Sequence, residues 1–285
     1  MGNTFKTAFL LTAMTLLLMM LGRAFGGPNG MVWALGLAVV MNFVAYFYSD
    51  KLALAAYRAQ PATREQLPQV YDTVERLTQR MGMPMPKLYV IPTDSPNAFA
   101  TGRNPNHASV AVTVGILKLL NNEELEGVLA HELGHVKNRD ILISSIAATL
   151  AGAITYFASI ARWGLIFGGY GGRGDRDRGG GIGALLMLFL APLAAMLIQL
   201  AVSRSREYAA DATGAELTGN PYGLARALEK LDAYSKRLPM AASPSSAHLF
   251  IVKPLSGADF AGLFATHPPI PKRIERLIGR AGVQV

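Results

Sequence analysis

Four apolar stretches, Thr7–Gly22, Met31–Ser49, Ile141–Ala161 and Ile182–Ser203, contain no Asp, Glu, Lys or Arg and alternate with polar blocks along the chain. A bilayer span needs about 20 such residues, a length that the last three approach or meet. The first is shorter and gains reach if Lys6 and Arg23 snorkel. Gly26-Gly27-Pro28-Asn29-Gly30 predicts a hairpin between the first two stretches. Gly168–Gly183, rich in glycine with alternating Arg and Asp, predicts a flexible turn between the other two. No Gly-Lys-Ser/Thr follows it, which argues against a phosphate loop. Lys6 ahead of an apolar run has the outline of a signal peptide, but Gly22-Arg-Ala-Phe-Gly26 is a poor cleavage site and a second run follows. A retained anchor is expected.

The polar blocks predict a mainly helical unit with a small sheet. Thr63-Arg64-Glu65-Gln66 has the pattern of a capping box, and Leu67, Val70, Val74, Leu77 and Met81 recur at helical spacing until Gly82 and Pro84. Lys87–Pro92, Ala98–Gly102 and Ser109–Gly115 are rich in β-branched or aromatic residues and are separated by Pro, Asn and Gly, the signature of short strands. Asn121 or Asn122 caps the next helix, with Glu123 and Glu124 complementing its dipole. Asn220-Pro221 opens a helix of about 15 residues that places Leu224, Leu228 and Leu231 on one side, and Pro271 starts a last helix carrying Arg273, Arg276 and Arg280. The chain thus reads as residues 1–50, an N-terminal transmembrane hairpin; 51–140, the first half of a catalytic domain; 141–203, a second hydrophobic hairpin; and 204–285, the second half.

Composition agrees. Only 16% of the residues are charged and 51% are hydrophobic, whereas a soluble domain carries about 25% charge. The absence of cysteine excludes disulfides and Cys-type metal ligands. The net charge of +8 is scattered, with no aromatic-basic platform, and fits anionic lipid headgroups better than nucleic acid.

The chemistry is concentrated in His131-Glu-Leu-Gly-His135. Positions i and i+4 share one helical face, so His131 and His135 can reach one metal ion, and Glu132 is placed to take a proton from a water that zinc acidifies to a pKa of about 7. A peptidase is the commonest user of this spacing. Two histidines leave a catalytic zinc one ligand short. A third His six residues after the second is excluded, because that position is Ile141. Asp140 is too near on the same helix, and Asp175 and Asp177 lie beyond a span. Glu207 follows the fourth stretch; if both intervening stretches cross the bilayer, it returns to the side of His131, whereas a single crossing would leave about 30 Å of hydrocarbon between them. Asp211 shares its helical face and is placed to accept a ring N–H from a ligand histidine. The competing reading of Glu207 and Asp211 is a solvated face paired with Arg204 and Arg206.

His131-Glu-Leu-Gly-His135, Glu207-Tyr-Ala-Ala-Asp211, Asn97-Ala-Phe-Ala-Thr-Gly102 and the four apolar stretches together closely resemble the HtpX family of membrane zinc metalloproteases and, more distantly, the CAAX prenyl endopeptidases. The resemblance implies an α+β membrane protein: four hydrophobic helical segments plus a mainly helical, zincin-like catalytic domain with a small β-sheet. It implies one Zn2+ per chain, a multi-pass location in the bacterial inner membrane with the active site facing the cytoplasm, and misfolded or damaged membrane proteins as substrates. It also implies that Asn97 and Ala98 lie at a sheet edge that takes substrate as an added strand, that His267 stabilises the oxyanion, and that Arg273 pairs with Asp211. An ordinary turn after Ser95-Pro96 and a proline-stiffened loop with surface charges are the plainer readings of those two regions. His107 and His248 match no motif position and read as surface or loop residues.

Two rival functions remain: a proteolytically silent, zinc-holding membrane scaffold and a metal or small-solute transporter built on four spans. The transporter is the weaker, since the apolar stretches lack intramembrane charges. Arg23 alone marks the first loop, whereas Lys51, Arg58 and Arg64 follow the second stretch, which favours a cytosolic catalytic domain. The three Arg of the glycine-rich loop run against that trend.

Overall fold

The structure is a computed structural model and describes residues 3–147, 149–150, 204–237 and 268–281. The glycine-rich loop, the fourth apolar stretch, His248 and His267 lie outside the described residues, as does the third stretch beyond residue 150.

The predicted N-terminal hairpin is α1 (Asn3–Ala56), helical throughout except at Gly27, whose φ of 61° and ψ of −150° break it into two arms with Pro28 opening the second. Two spans, Phe5–Arg23 and Gly26–Ala56, are long and apolar enough to cross a membrane. The arms fold back so closely that any side chain on Gly22 would strike the Gly30 carbonyl and Ala34. Asn42, polar within the second arm, reaches across to Thr15 Oγ1 at 2.8 Å and to the Leu11 carbonyl at 3.2 Å. Bonds of this kind hold helices together where lipid offers no alternative partner.

The chain then enters a four-stranded sheet in the order β1-β2-β4-β3. β2 (Lys87–Ile91) runs parallel to β4 (Ala108–Thr113), while β3 (Ala98–Gly102) and a two-residue strand, β1 (Gln60–Pro61), pair antiparallel at the two edges. β1 was not predicted; a two-residue pairing leaves no periodicity, and Pro61 is tolerated only because the strand is an edge. The sheet separates two packed layers, as the period of two along each strand requires. Leu88, Ala98, Ala100, Val110 and Val112 face the main core, whereas Tyr89, Ile91, Phe99 and Ala111 face Ala53, Leu54 and Tyr57 at the end of α1.

The main core is completed by helices. α2 (Pro68–Met81) buries Val70, Val74, Leu77 and Met81 and ends at Gly82 as predicted. It starts later than the capping box implied. Thr63 N–H does donate to Gln66 Oε1 at 3.0 Å, but the motif closes a separate turn. Pro68 disfavours helical geometry at the residue before it, and Leu67 stands at φ −132°, ψ 59°. A short α3 (Val114–Leu119), where the sequence pattern extended a strand to Gly115, is started by Thr113 Oγ1 accepting from Ile116 N–H. α4 (Asn122–Lys137) carries a complete capping box between Asn121 and Glu124. α5 (Arg204–Thr218), α6 (Pro221–Arg237) and α7 (Ile270–Ala281) follow. Asn220 Oδ1 caps α6, and Leu224, Leu228 and Leu231 are buried as predicted.

Residues 141–147 and 149–150, the described part of the third stretch, are helical. Its Ile143, Ile146 and Leu150 pack with Leu10, Met14 and Ala45 of α1.

Candidate metal centre

α4 and α5 cross at their small residues. A Cβ on Gly214 would stand 3.1 Å from the His131 backbone nitrogen, and one on Gly134 would stand 3.3 Å from Ala210 Cα. That close approach brings the Glu207 carboxylate onto the face of α4 that carries both histidines. His131 Nε2 and His135 Nε2 lie 3.2 Å apart, Glu207 Oε2 is 3.8 Å from the first and Glu207 Oε1 is 3.5 Å from the second. One ligand atom from each of the three falls within 4.8 Å of the others, a spacing that could hold one metal ion. Two imidazole nitrogens and a carboxylate oxygen are a donor set suited to zinc.

Each imidazole is fixed from behind by a carboxylate. His131 Nδ1 lies 2.9 Å from Asp211 Oδ1, and His135 Nδ1 lies 3.3 Å from Asp140 Oδ2. Both ring nitrogens that face the ligand triangle are therefore Nε2, the tautomer a metal requires. Asp211 is held in turn by Arg273, which is wholly buried and donates through Nε and Nη2 to the two carboxylate oxygens at 2.9 and 2.7 Å. Arg273 Nη1 also stands 3.8 Å from Glu207 Oε2.

Burial favours a neutral Asp211, but the Arg273 charge and the hydrogen bonds from His131 and Arg273 outweigh it and hold the carboxyl at about 2. Burial likewise favours a neutral His135. The hydrogen bond to Asp140 and the charges of Glu207, Glu132 and Asp140 prevail and raise the ring to about 9.

Glu132 is buried at the edge of the sheet, where its Oε2 accepts the backbone N–H of Ala100 at 2.9 Å. β3 is the sheet edge nearest α4 among the described residues, and antiparallel alternation turns the backbone groups of Ala98 and Ala100 away from β4. Asn97 lies directly ahead of β3, buried, its N–H donating to Thr113 Oγ1 and its carbonyl accepting from Thr113 N–H, both at 2.9 Å.

The structure thus brings His131, Glu132, His135, Glu207, Asp211, Arg273 and the Asn97–Ala98 segment into one region. A solvated face for Glu207 and Asp211, and a surface charge at 273, do not match the burial of all three. His107 is exposed, beside Asn104. Three features escaped the sequence pattern. The Asp140 contact needs Arg139 to adopt a left-handed backbone, φ 57°, so that Asp140 folds back over the end of α4; a helical projection could only exclude Asp140 as a ligand. The Ala100–Glu132 bond and the Thr101–Ser145 bond join residues 32 and 44 positions apart and leave no local mark.

A helix-borne histidine pair, a distant glutamate and a buried glutamate beside a sheet edge define the class of helical two-histidine, one-glutamate metallopeptidases. Residues 64–281 match the sequence profile of Peptidase family M48. The HtpX protease homologue of Desulfatibacillum aliphaticivorans is 59% identical over 279 residues, covering 98% of this chain and 90% of that protein. The HtpX protease homologue of Thermococcus sibiricus is 53% identical over 279 residues, covering 97% of this chain and 96% of that protein. The crystal structure of S. mikatae Ste24p shares the fold with a TM-score of 0.54 at 23% identity, covering 96% of this chain and 65% of that one.

The chain belongs to Peptidase family M48 and is a membrane metalloendopeptidase of the HtpX kind. Family membership implies a bound metal, and His131, His135 and Glu207 fit one.

Proposed function

We propose that this protein is a zinc-dependent, multi-pass endopeptidase of the bacterial inner membrane that cleaves misfolded or damaged membrane proteins at the cytoplasmic face. The observation that carries the reading is the convergence of His131, His135 and Glu207 next to a glutamate anchored on a sheet edge. These three residues would hold the zinc, with Asp211 and Asp140 fixing the imidazoles and Arg273 fixing Asp211. A zinc ion held there would supply Lewis acidity, able to polarise a carbonyl and to lower the pKa of water to about 7. Glu132 takes the proton from the attacking water and delivers it to the leaving amine. Ala100 N–H keeps that carboxylate in place. The outward backbone of Ala98, positioned by Asn97, aligns substrate as an added strand, a mode with little demand on sequence that suits unfolded chains. The oxyanion role proposed for His267, which lies outside the described residues, rests on the family resemblance alone. The basic residues Lys51, Arg58 and Arg64 after the second arm, against Arg23 alone in the first turn, support the cytoplasmic orientation.

Glu132→Gln tests the reading. The purified variant should retain one zinc per chain while cleavage of an unfolded casein-type probe falls by about 10²–10⁴. Equal cleavage by variant and wild type would remove the assignment of Glu132, and absence of cleavage by both would favour a zinc-holding scaffold.

A further inference from the structure

β3 carries the sheet edge at which Glu132 is anchored, and it is fastened residue by residue to the elements that enter the membrane. The Phe99 ring lies tilted against Tyr57 with centroids 5.4 Å apart and packs with Ala53 and Leu54 at the end of α1. Thr101 and Ser145, both buried, share a hydrogen bond of 2.8 Å that ties the strand to the start of the third apolar stretch. Just beyond Gly102, the Arg103 guanidinium lies over the Phe47 ring at 5.6 Å. Gly102, where the strand ends ahead of Arg103, adopts φ 135° with no room for a side chain against His107. Phe99 and Thr101 share the strand face opposite Ala98 and Ala100, as the period of two demands.

The place where Arg103 touches α1 has the composition of a bilayer boundary. Phe43, Tyr46, Phe47 and Tyr48 are exposed and cluster, with Phe43–Phe47 and Tyr46–Phe47 centroids at 4.8 and 4.9 Å. Lys51 follows with its ammonium 5.0 Å from the Tyr48 ring. Amphipathic rings with basic residues just beyond them mark headgroup depth and attract anionic lipid. Between positions 24 and 64, Lys51, Arg58 and Arg64 stand against Asp50 alone. Along the strand, Ala100 is three residues from Arg103, about 10 Å at 3.3 Å per residue.

We infer that β3 is a distance gauge: Arg103, with Lys51, sits in the headgroup layer of an anionic bilayer and fixes the cleavage site about 10 Å above it, which makes the substrate class the juxtamembrane segment of a membrane-anchored polypeptide. The inference rests on the peptidase reading for its substrate half, and its placement half stands on the contacts alone.

Both halves can be tested on the full chain in vesicles of phosphatidylglycerol and phosphatidylethanolamine. Placement is read from a nitroxide at position 104, which leaves Arg103 in place, with a second at Glu123, which lies about 20 Å back along α4 from Lys137. The label at 104 should be markedly more accessible to oxygen, and less to a water-soluble nickel chelate, than the label at 123; equal, water-like accessibilities would overturn the gauge. Substrate choice is read from a single-span probe bearing a long, repetitive, unfolded tail, with the same tail supplied free in solution. Cuts in the anchored tail should fall within roughly its first ten residues, should spread outward in Arg103→Glu, and should show no positional bias in the free tail. Evenly spread cuts in the anchored tail of wild type would overturn the gauge while leaving the peptidase reading intact. Failure to cut either tail would instead count against the peptidase reading, and the two nitroxides would still decide the placement.

Discussion

Arg273 and Asp211, 62 positions apart, meet as a two-pronged ion pair with both side chains buried. The planar guanidinium matches both carboxylate oxygens, which a lysine ammonium cannot do. Arg273→Met leaves Asp211 with His131 as its remaining partner in a buried site. The loss of one member of such a pair costs about 3–5 kcal/mol. The expected result is a clear fall in unfolding temperature in detergent, with Arg273→Lys intermediate. An Arg273→Met protein that melts like wild type would contradict the arrangement. The double variant Asp211→Leu/Arg273→Met should recover part of the loss, because it removes both charges together.

Asp140 gives a more local prediction. Its contact with His135 Nδ1 at 3.3 Å mirrors the Asp211–His131 contact at 2.9 Å. Removal of such a partner weakens metal binding by about 10–100-fold. Asp140→Ala should therefore lose zinc earlier in a chelator titration while keeping its circular dichroism. Asp140→Asn, able to accept but uncharged, should fall between the two. Unchanged zinc retention in Asp140→Ala would show that His135 is oriented by other neighbours.

The parts of this site that were legible in the sequence are those whose geometry is local or topological. His131 and His135 follow from helical period, and Glu207 is reached on the condition that the two apolar stretches before it carry the chain out of a bilayer and back; the structure brings its carboxylate to the histidines. The burial of Leu224, Leu228 and Leu231 follows from the same periodicity. What stayed hidden depends on the backbone leaving its regular path or on contacts across the fold. Asp140 became relevant only through the left-handed turn at Arg139, a position where glycine would have been the visible signal. The late start of α2 came from Pro68 overriding an otherwise acceptable capping box. The edge position of β3, and its N–H to Glu132, depend on strand order, which no local pattern encodes.

The raised His135 gives a pH dependence with a definite sign. In metal-stripped protein its ring holds a proton up to about 9, against 6.5 when unperturbed. Its stabilising contribution to that form is complete below 6.5 and disappears as the pH rises through 9. A metal must displace the same proton, so zinc uptake at pH 7 should release close to one proton from this residue. Apparent affinity should climb by about tenfold per pH unit towards 9 and then level off. Calorimetry in buffers of different ionisation enthalpy measures the release directly. Asp211 behaves oppositely: its contribution is present above 3.8 and is lost as the pH falls through 2.

The last prediction concerns the approach of the two helices that carry the ligands. Gly214 lets α5 lie against the His131 backbone, where a Cβ would already stand 3.1 Å from nitrogen. A branched side chain there has to push α5 away, and Glu207 lies two turns up the same helix. Overpacking of this kind costs about 1–3 kcal/mol and is relieved by backbone shifts. Gly214→Val should therefore keep a folded sheet and helices yet bind zinc far more weakly, because a displacement of about 1 Å is enough to spoil a coordination sphere held to within a few tenths of that. Gly214→Ala should lie between Gly214→Val and wild type. Zinc titration monitored by chelator competition, with far-ultraviolet circular dichroism alongside, separates this outcome from simple unfolding. If Gly214→Val bound zinc as tightly as wild type, the distance between α4 and α5 would not be what assembles the site.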